Sequence, residues 1–211
     1  MIQSDKFDSS NMDIKKLANS ILIFTLNRLI EIVGILILSI GILFFISLIS
    51  HSPADPNFIF PEGAKIKNLL GFHGSYISDF FFQSFGLISY LIPVTYIFTG
   101  INIFRKKEIF LLIKNSFYII LYILVGSIFF NFYYKGNFTF YINGNGGFVG
   151  NYFDDIFFKA IVDYENILFY FFILLITIFF SISINLNVKN LYNFLKLKFS
   201  KENKNYTNKN E

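Results

Sequence analysis

The sequence has 211 residues, of which 54% are hydrophobic and 21% aromatic, and only 15% are charged. Its mean hydropathy is +0.54, and soluble domains carry about 25% charged residues, so an ordinary soluble domain is excluded. The net charge is +4, and the lack of cysteine excludes disulfides, thiolate metal sites and cysteine nucleophiles in these residues.

An amphipathic segment, residues 1–28, opens the chain and is predicted to be helical. Ser10 or Asn11 can cap this helix, since both side chains accept hydrogen bonds from free backbone N–H groups. Its apolar positions share one face: Ile14, Leu17, Ile21 and Phe24. We expect this helix to lie along the inner leaflet of a membrane.

Four apolar stretches follow, each close to the length of about 20 residues that crosses a bilayer as a helix. We place the spans at about 30–50, 78–104, 111–134 and 165–188, within a membrane domain at 29–190. Helix breakers follow the first span in place of a small-residue cleavage site, so it is not a signal peptide. The predicted fold class is an all-α membrane protein, a four-transmembrane-helix bundle.

The distribution of lysine and arginine predicts the orientation of the spans. Basic residues concentrate in the N-terminal segment, in the link at 105–107 and in the tail at 191–211. Cytoplasmic loops carry an excess of Lys and Arg, so both termini are predicted to be cytoplasmic and loops 51–79 and 135–165 to face outside. The tail is rich in Lys and Asn and is too polar to fold alone.

The second outer loop is rich in glycine and asparagine. Its Asn143-Gly144 and Asn145-Gly146 pairs are turn signals, which predict either a small hairpin or an irregular excursion. Asp154 and Asp155 follow and could serve acid and base chemistry, but no catalytic partner accompanies them. Their position favours the start of a helix, where negative charge is stabilised.

The remaining ionisable residues indicate no enzyme. The sequence has no phosphate-binding glycine loop followed by Lys and Ser or Thr, and therefore no recognisable ATPase. His51 and His73 share one loop but lack metal-ligand spacing, which favours interfacial histidines over a metal site. Glu31 and Lys114 lie within about one turn of helix ends. This position favours a role in anchoring the helices at the membrane surface over a role in a transport pathway. We predict no catalytic residue, metal or cofactor.

Small residues mark the faces on which the spans are expected to pack together or against another copy. On the first and second spans they are Gly34, Gly41, Gly86, Ser89, Pro93 and Gly100. Pro93 also removes a backbone donor, so a kink is predicted there.

Several motifs recur in a recognisable order around the first two spans. "SLISHSPADPNF" closes the first span, "NLLGFHGSYISD" precedes the second, and "GLISYLIP" lies inside it. This order resembles the N-terminal four-helix membrane domain of the bacterial FtsK and SpoIIIE DNA translocases. The residues that carry the resemblance are Ser50, Ser52, Pro53, Asp55, Pro56, Asn68, Leu69, Gly71, Gly74, Asp79, Gly86, Leu87, Tyr90 and Pro93, echoed by Gly146, Gly147 and Gly150.

The resemblance implies a multi-pass protein of the bacterial inner membrane at the division septum. In that family this domain places and oligomerises a DNA motor and contacts other division proteins. The family's linker, RecA-like motor and winged helix have no counterpart in these residues, so the ATP-driven motor is expected to be absent or on a downstream segment. We therefore expect a homo-oligomeric membrane anchor that binds the lipid bilayer and does not itself bind nucleic acid.

The alternative function is that of a small integral-membrane transporter or channel component. It would need ionisable or unwound elements at mid-membrane depth, whereas the span centres are expected to be apolar apart from Pro93. A membrane enzyme ranks third, because no catalytic constellation is present.

Overall fold

The structure is a computed structural model that describes residues 2–56, 65–134, 142–157 and 165–186, with side chains in 15–56, 65–134, 142–153 and 167–186. Its helical elements are α1 Ile2–Ile49, α2 Gly71–Phe85, a 3₁₀ segment Gly86–Tyr90, α3 Leu91–Lys106, α4 Phe110–Tyr134, α5 Gly147–Phe157 and α6 Glu165–Ser183. No β-strand occurs in these ranges.

Three helical stretches are long and apolar enough to cross a membrane. They are Lys15–Ile49, Gly71–Lys106 and Phe110–Tyr134, and a shorter apolar helix covers Ile167–Ser183. These four stretches confirm the predicted fold class, an all-α membrane protein with a four-helix bundle.

Helix α1 runs without a break through the predicted amphipathic segment and into the first span. Ser10 and Asn11 lie inside this helix, so the prediction that one of them caps it is wrong. Side chains from Lys15 to Leu29 are almost all exposed, Leu17 among them. This apolar surface therefore faces away from the bundle and is open to lipid.

Helices α1 and α3 pack closely because glycines remove side chains from their contact. A β-carbon at Gly34 would lie 2.8 Å from the backbone nitrogen of Phe104, and one at Gly41 would lie 2.9 Å from that of Ile97. Gly100 on α3 likewise leaves no room for a side chain at this contact. From Gly34 to Gly41 the contact moves forward along α1, and over the same distance it moves backward along α3, from Phe104 to Ile97. The two helices therefore run antiparallel over the same membrane depth.

Helix α2 crosses one end of α1 instead of continuing this pairing. Gly74 lies against Ser47, and Phe81 packs on Phe44 with ring centroids 4.5 Å apart. The middle of α2 therefore lies at the same depth along the bundle as the last turns of α1. We call this end, which carries the α1–α2 loop, the loop end of the bundle, and the opposite end, which carries Lys107, the basic end.

The second span breaks its helix at Gly86. This glycine adopts a φ of 73°, in the left-handed region that favours glycine, and the Gly86–Tyr90 segment that follows is 3₁₀. Pro93 lies in the first turn of α3, where a missing N–H removes no helical hydrogen bond. The predicted kink at Pro93 is therefore wrong in its position.

One hydrophobic core cluster lies between the 3₁₀ segment, α3 and α4, and a smaller one joins Leu48 of α1 to Phe82 of α2. The buried residues of the first cluster are Ile88, Ile92, Ile119, Tyr122 and Ile123. Helix α6 covers this cluster with Phe180, whose ring lies 5.9 Å from that of Tyr122. The described chain leaves the helix after Ser183, before the predicted end of the fourth span at residue 188.

The glycine-rich outer loop forms turns and a short helix in its described residues, and no hairpin. Turns occur at 142–143 and 145–146, as the Asn-Gly pairs predicted, and α5 starts directly after them. Asp154 and Asp155 lie toward the end of α5, so the prediction that they begin a helix is wrong. The rest of this loop and the tail at 191–211 lie outside the described residues.

Replacing Gly34 with leucine is expected to destabilise the bundle by about 1–3 kcal/mol, because the new side chain would meet the α3 backbone. Ser39→Leu adds similar bulk on the exposed side of α1 and should change stability little. Unfolding by SDS in mixed micelles, followed by circular dichroism, measures both effects. Equal unfolding midpoints for the two variants would contradict the close approach of α1 and α3.

Candidate functional site

Asp55 holds the chain where it turns back from α1 toward α2. Its side chain is only 1% exposed. One carboxylate oxygen accepts the backbone N–H of Lys67 at 2.9 Å, and the other accepts that of Asn68 at 2.8 Å. Hydrogen bonds to an ionised acceptor are the stronger kind. Asp55 thus closes the α1–α2 loop through two backbone groups that precede α2.

Asn68 connects this closed loop to α1. Its Nδ2 donates to the Ser47 carbonyl at 2.9 Å, while its Oδ1 accepts the Leu70 N–H at 3.0 Å. Ser47 Oγ in turn donates to the Gly74 carbonyl at 2.7 Å. A β-carbon at Gly74 would overlap the Asn68 side chain, which explains the glycine. The N-L-L-G-x-x-G run therefore has the spacing that brings α2 onto the end of α1.

His51 lies against the buried face of α2 at the same junction. Its Nδ1 is 3.0 Å from Ser78 Oγ, and its ring centroid is 4.9 Å from that of Phe82. Burial lowers the pKa of His51, and the opposing charges of Asp79 and Asp55 only partly offset this. The junction thus favours the neutral imidazole.

The glycine-rich loop covers the helix break at Gly86. The Leu87 N–H donates to the Asn145 carbonyl at 2.9 Å, and Ser127 Oγ of α4 donates to the Phe85 carbonyl at 2.9 Å. A β-carbon at Gly86 would overlap the Asn145 carbonyl. Backbone groups released by the break therefore find partners in the loop and in α4, as a low-dielectric environment requires.

A buried polar network that the sequence analysis missed joins α3, α4 and α6. Thr95 Oγ1 lies 3.1 Å from both Tyr122 OH and Ser183 Oγ. Closer to the basic end, Asn115 Nδ2 donates to Thr99 Oγ1 at 2.8 Å. The expectation that the span centres are apolar is therefore wrong. The spacing of four residues between Thr95 and Thr99, which puts both on one helix face, was the available signal.

Lys114 and Asn185 complete this network near the basic end. Lys114 Nζ donates to Asn185 Oδ1 at 3.0 Å, and Asn185 Nδ2 donates to Asn115 Oδ1 at 3.3 Å. Asn102 Nδ2 donates to the Ile184 carbonyl at 3.4 Å. Backbone N–H groups of residues 184–186 bind the carbonyls of Phe180, Ser181 and Ile182, and Asn102 supplies a partner for the carbonyl that follows α6.

Glu31 links α1 to the connection between α3 and α4. Its carboxylate pairs with Arg28 and also with Lys107, the latter at 3.2 Å. Both partners are more than one-third exposed, so the pairs contribute little to stability. Their geometric effect is to fix the basic end of α1 beside the end of α3.

The motif residues differ in burial according to what they contact. Those buried at the loop end are Asp55, Pro56, Asn68, Gly74 and Asp79. Those buried in the second span are Gly86, Ser89 and Pro93. Ser52, Gly71 and Tyr90 are half-buried, and Pro53 is exposed. The buried members contact neighbouring elements, whereas Pro53 acts on the local backbone alone.

The chemistry of this junction is that of helix support. No group of three His, Cys, Asp or Glu side chains that could hold a metal ion occurs among the described residues. Both Asp55 oxygens are occupied by backbone N–H groups, and His51 contacts a serine that itself donates to the Ser75 carbonyl. The arrangement suits the satisfaction of buried backbone groups.

A comparison with protein-family models matches residues 27–191 to the 4TM region of DNA translocase FtsK/SpoIIIE. The chain belongs to this family. The match covers the junction, the helix break and the buried polar network, so the resemblance carried by the motifs is confirmed. These features are therefore features of an FtsK/SpoIIIE membrane region.

Curated relatives share shorter stretches with the chain. The DNA translocase FtsK of Rickettsia bellii (strain RML369-C) is 37% identical over 68 residues, covering 32% of this chain and 9% of that protein. That of Rickettsia prowazekii (strain Madrid E) is 32% identical over 84 residues, covering 38% and 11%. That of Vibrio vulnificus (strain CMCP6) is 36% identical over 64 residues, covering 30% and 6%.

The aligned stretches cover at most 11% of these three relatives. No solved structure matches the chain.

Asp55→Ala is expected to destabilise the loop end by about 1–3 kcal/mol, because it leaves the Lys67 and Asn68 amides without their acceptors. Hydrogen exchange of these two amides should accelerate. Pro53→Ala, at an exposed position two residues earlier, is the control and should leave their exchange nearly unchanged. Unaltered exchange in Asp55→Ala would show that another group holds the turn.

The lowered pKa of His51 predicts a pH dependence of stability. The folded protein binds fewer protons at this residue than the unfolded chain, whose histidine has a pKa of 6.5. The stabilisation is therefore present above pH 6.5 and is lost as the pH falls through the folded-state pKa. The SDS unfolding midpoint should decrease on acidification.

His51→Gln should weaken this dependence, and His73→Gln, an exposed change in the same region, should not. A pH profile of His51→Gln identical to that of the unchanged protein would contradict this role of His51.

Proposed function

We propose that this chain anchors an FtsK-like DNA translocase assembly in the bacterial inner membrane and places it at the division septum. The observation that carries the proposal is the family match over residues 27–191, which contains the apolar helices. The buried polar groups of the junction are engaged in joining helices, which supports a module that is non-catalytic by itself. DNA pumping is not assigned to these residues.

The proposed orientation puts the basic end in the cytoplasm. Arg105, Lys106 and Lys107 are exposed at this end, and Arg28 lies nearby on α1. Such clusters are retained on the cytoplasmic side and attract anionic lipid headgroups. Both termini would then be cytoplasmic, and the α1–α2 junction would face outside.

Association into a homo-oligomer is the proposed means by which the anchor gathers motor subunits. Helix α6 carries large exposed apolar side chains, including Ile167, Tyr170 and Leu174. In a membrane such faces contact either lipid or another helix, and close packing of helices is driven by shape. Other division proteins would contact the loop end, which the proposed orientation exposes to the outside.

The buried network of Thr95, Thr99, Asn115 and Lys114 favours a second candidate, a small transporter or channel component. Polar side chains inside a membrane bundle commonly mark ion or proton pathways. Under this alternative, reconstituted protein would carry a solute or proton flux that Asn115→Leu abolishes. An absence of flux across a panel of ions and protons would remove this candidate.

A fluorescent protein fused to the C-terminus of residues 1–211 tests the anchoring proposal. It should concentrate at the septum of dividing bacteria, because the membrane module alone is proposed to determine placement. The same fluorescent protein on an unrelated four-span anchor is the control. An even distribution of the fusion over the cell envelope, like that of the control, would contradict septal placement.

A further inference from the structure

A groove with a volume of ≈ 680 Å³ runs along α1 beside α2. Its walls include Ile37, Ile40, Leu43, Phe44, Ile77 and Phe81. Ser47, at its loop end, uses its hydroxyl to donate to the Gly74 carbonyl. The groove thus offers hydrocarbon surface along its length at the depth of the membrane.

The length and lining of the groove suit a lipid acyl chain. Its α1 wall runs from Ile37 to Ser47, about 15 Å at the rise of an α-helix. An extended hydrocarbon chain lying along this wall would contact apolar side chains at about 4 Å.

Charge at the mouth of the groove selects the headgroup. Leu70 and His73 line the loop end of the groove, and Lys65 and Lys67 precede them as exposed residues. The acidic side chain of Asp55 is buried nearby, with both oxygens bound to backbone N–H groups. Lys67 directly precedes Asn68, whose side chain donates to the carbonyl of the groove residue Ser47. Among the described residues near this mouth, Lys65 and Lys67 thus contribute exposed positive charge, which suits an anionic phosphate.

We propose that this groove binds one acyl chain of an anionic phospholipid, with the phosphate beside Lys65 and Lys67. The chain lies along α1 under the overhang of α2, so the lipid supports the α1–α2 junction from its membrane side. The inference does not depend on septal placement. The proposed orientation determines only that the leaflet involved is the outer one.

Tryptophan fluorescence tests the site directly, because the chain has no tryptophan of its own. Ile40→Trp places a reporter on the groove, and Ile120→Trp places one on the lipid-facing side of α4, where the two isoleucines are 60% and 57% exposed. The 211-residue chain is reconstituted in vesicles that contain increasing fractions of phosphatidylglycerol or phosphatidylcholine with brominated acyl chains. Bromine quenches the reporter that it contacts.

The groove reporter should be quenched at a lower fraction of brominated phosphatidylglycerol than of brominated phosphatidylcholine, by about fivefold for each lysine that contacts the headgroup. The α4 reporter should respond equally to both lipids. Adding Lys65→Gln and Lys67→Gln to Ile40→Trp should remove the preference.

Two results would overturn the proposal. Equal quenching of the groove reporter by both lipids would mean bulk lipid contact without a site. No quenching by either lipid would mean that a protein segment, such as a helix of a second copy, fills the groove. Neither result bears on septal placement, which is measured in cells.

Discussion

Backbone groups released where a helix stops must find new partners, because hydrocarbon offers none and an unsatisfied buried group costs several kcal/mol, on the order of 2–7. The described chain meets this demand at three points. Asp55 binds two N–H groups before α2, the Asn145 carbonyl binds the Leu87 N–H after Gly86, and Asn102 binds the Ile184 carbonyl after α6. Asn145 and Asn102 belong to other elements than the groups that they bind, and Asn68 joins the loop that Asp55 closes to α1.

This demand gives the most recognisable residues of the family a physical role. Asp55 and Asn68 resemble site residues because they are buried and polar, yet their hydrogen-bonding capacity is directed at the backbone and at α1. Gly74 is small so that Asn68 can reach Ser47. These buried hydrogen bonds join the helices of the module, which suits the proposed anchoring role.

The break at Gly86 also shapes the face that meets the membrane. Because the helix is interrupted there, α3 can follow α1 through the bilayer while α2 crosses the end of α1. The groove beside α1 lies along this crossing. The break at Gly86, where the Leu87 N–H binds the Asn145 carbonyl, thus precedes the turn of the chain that shapes the proposed lipid site.

Hydropathy and charge are local properties, and for that reason the sequence by itself determined the number of apolar spans and the basic segments. The order of its motifs determined the family. The sequence also indicated the turns at Asn143 and Asn145. Only the tertiary structure decided that the helix breaks at Gly86 instead of Pro93, and that Thr95 meets Ser183. The latter pair lies 88 positions apart in the sequence. Such choices depend on which distant group satisfies a released backbone or hydroxyl, and no local pattern records that partner.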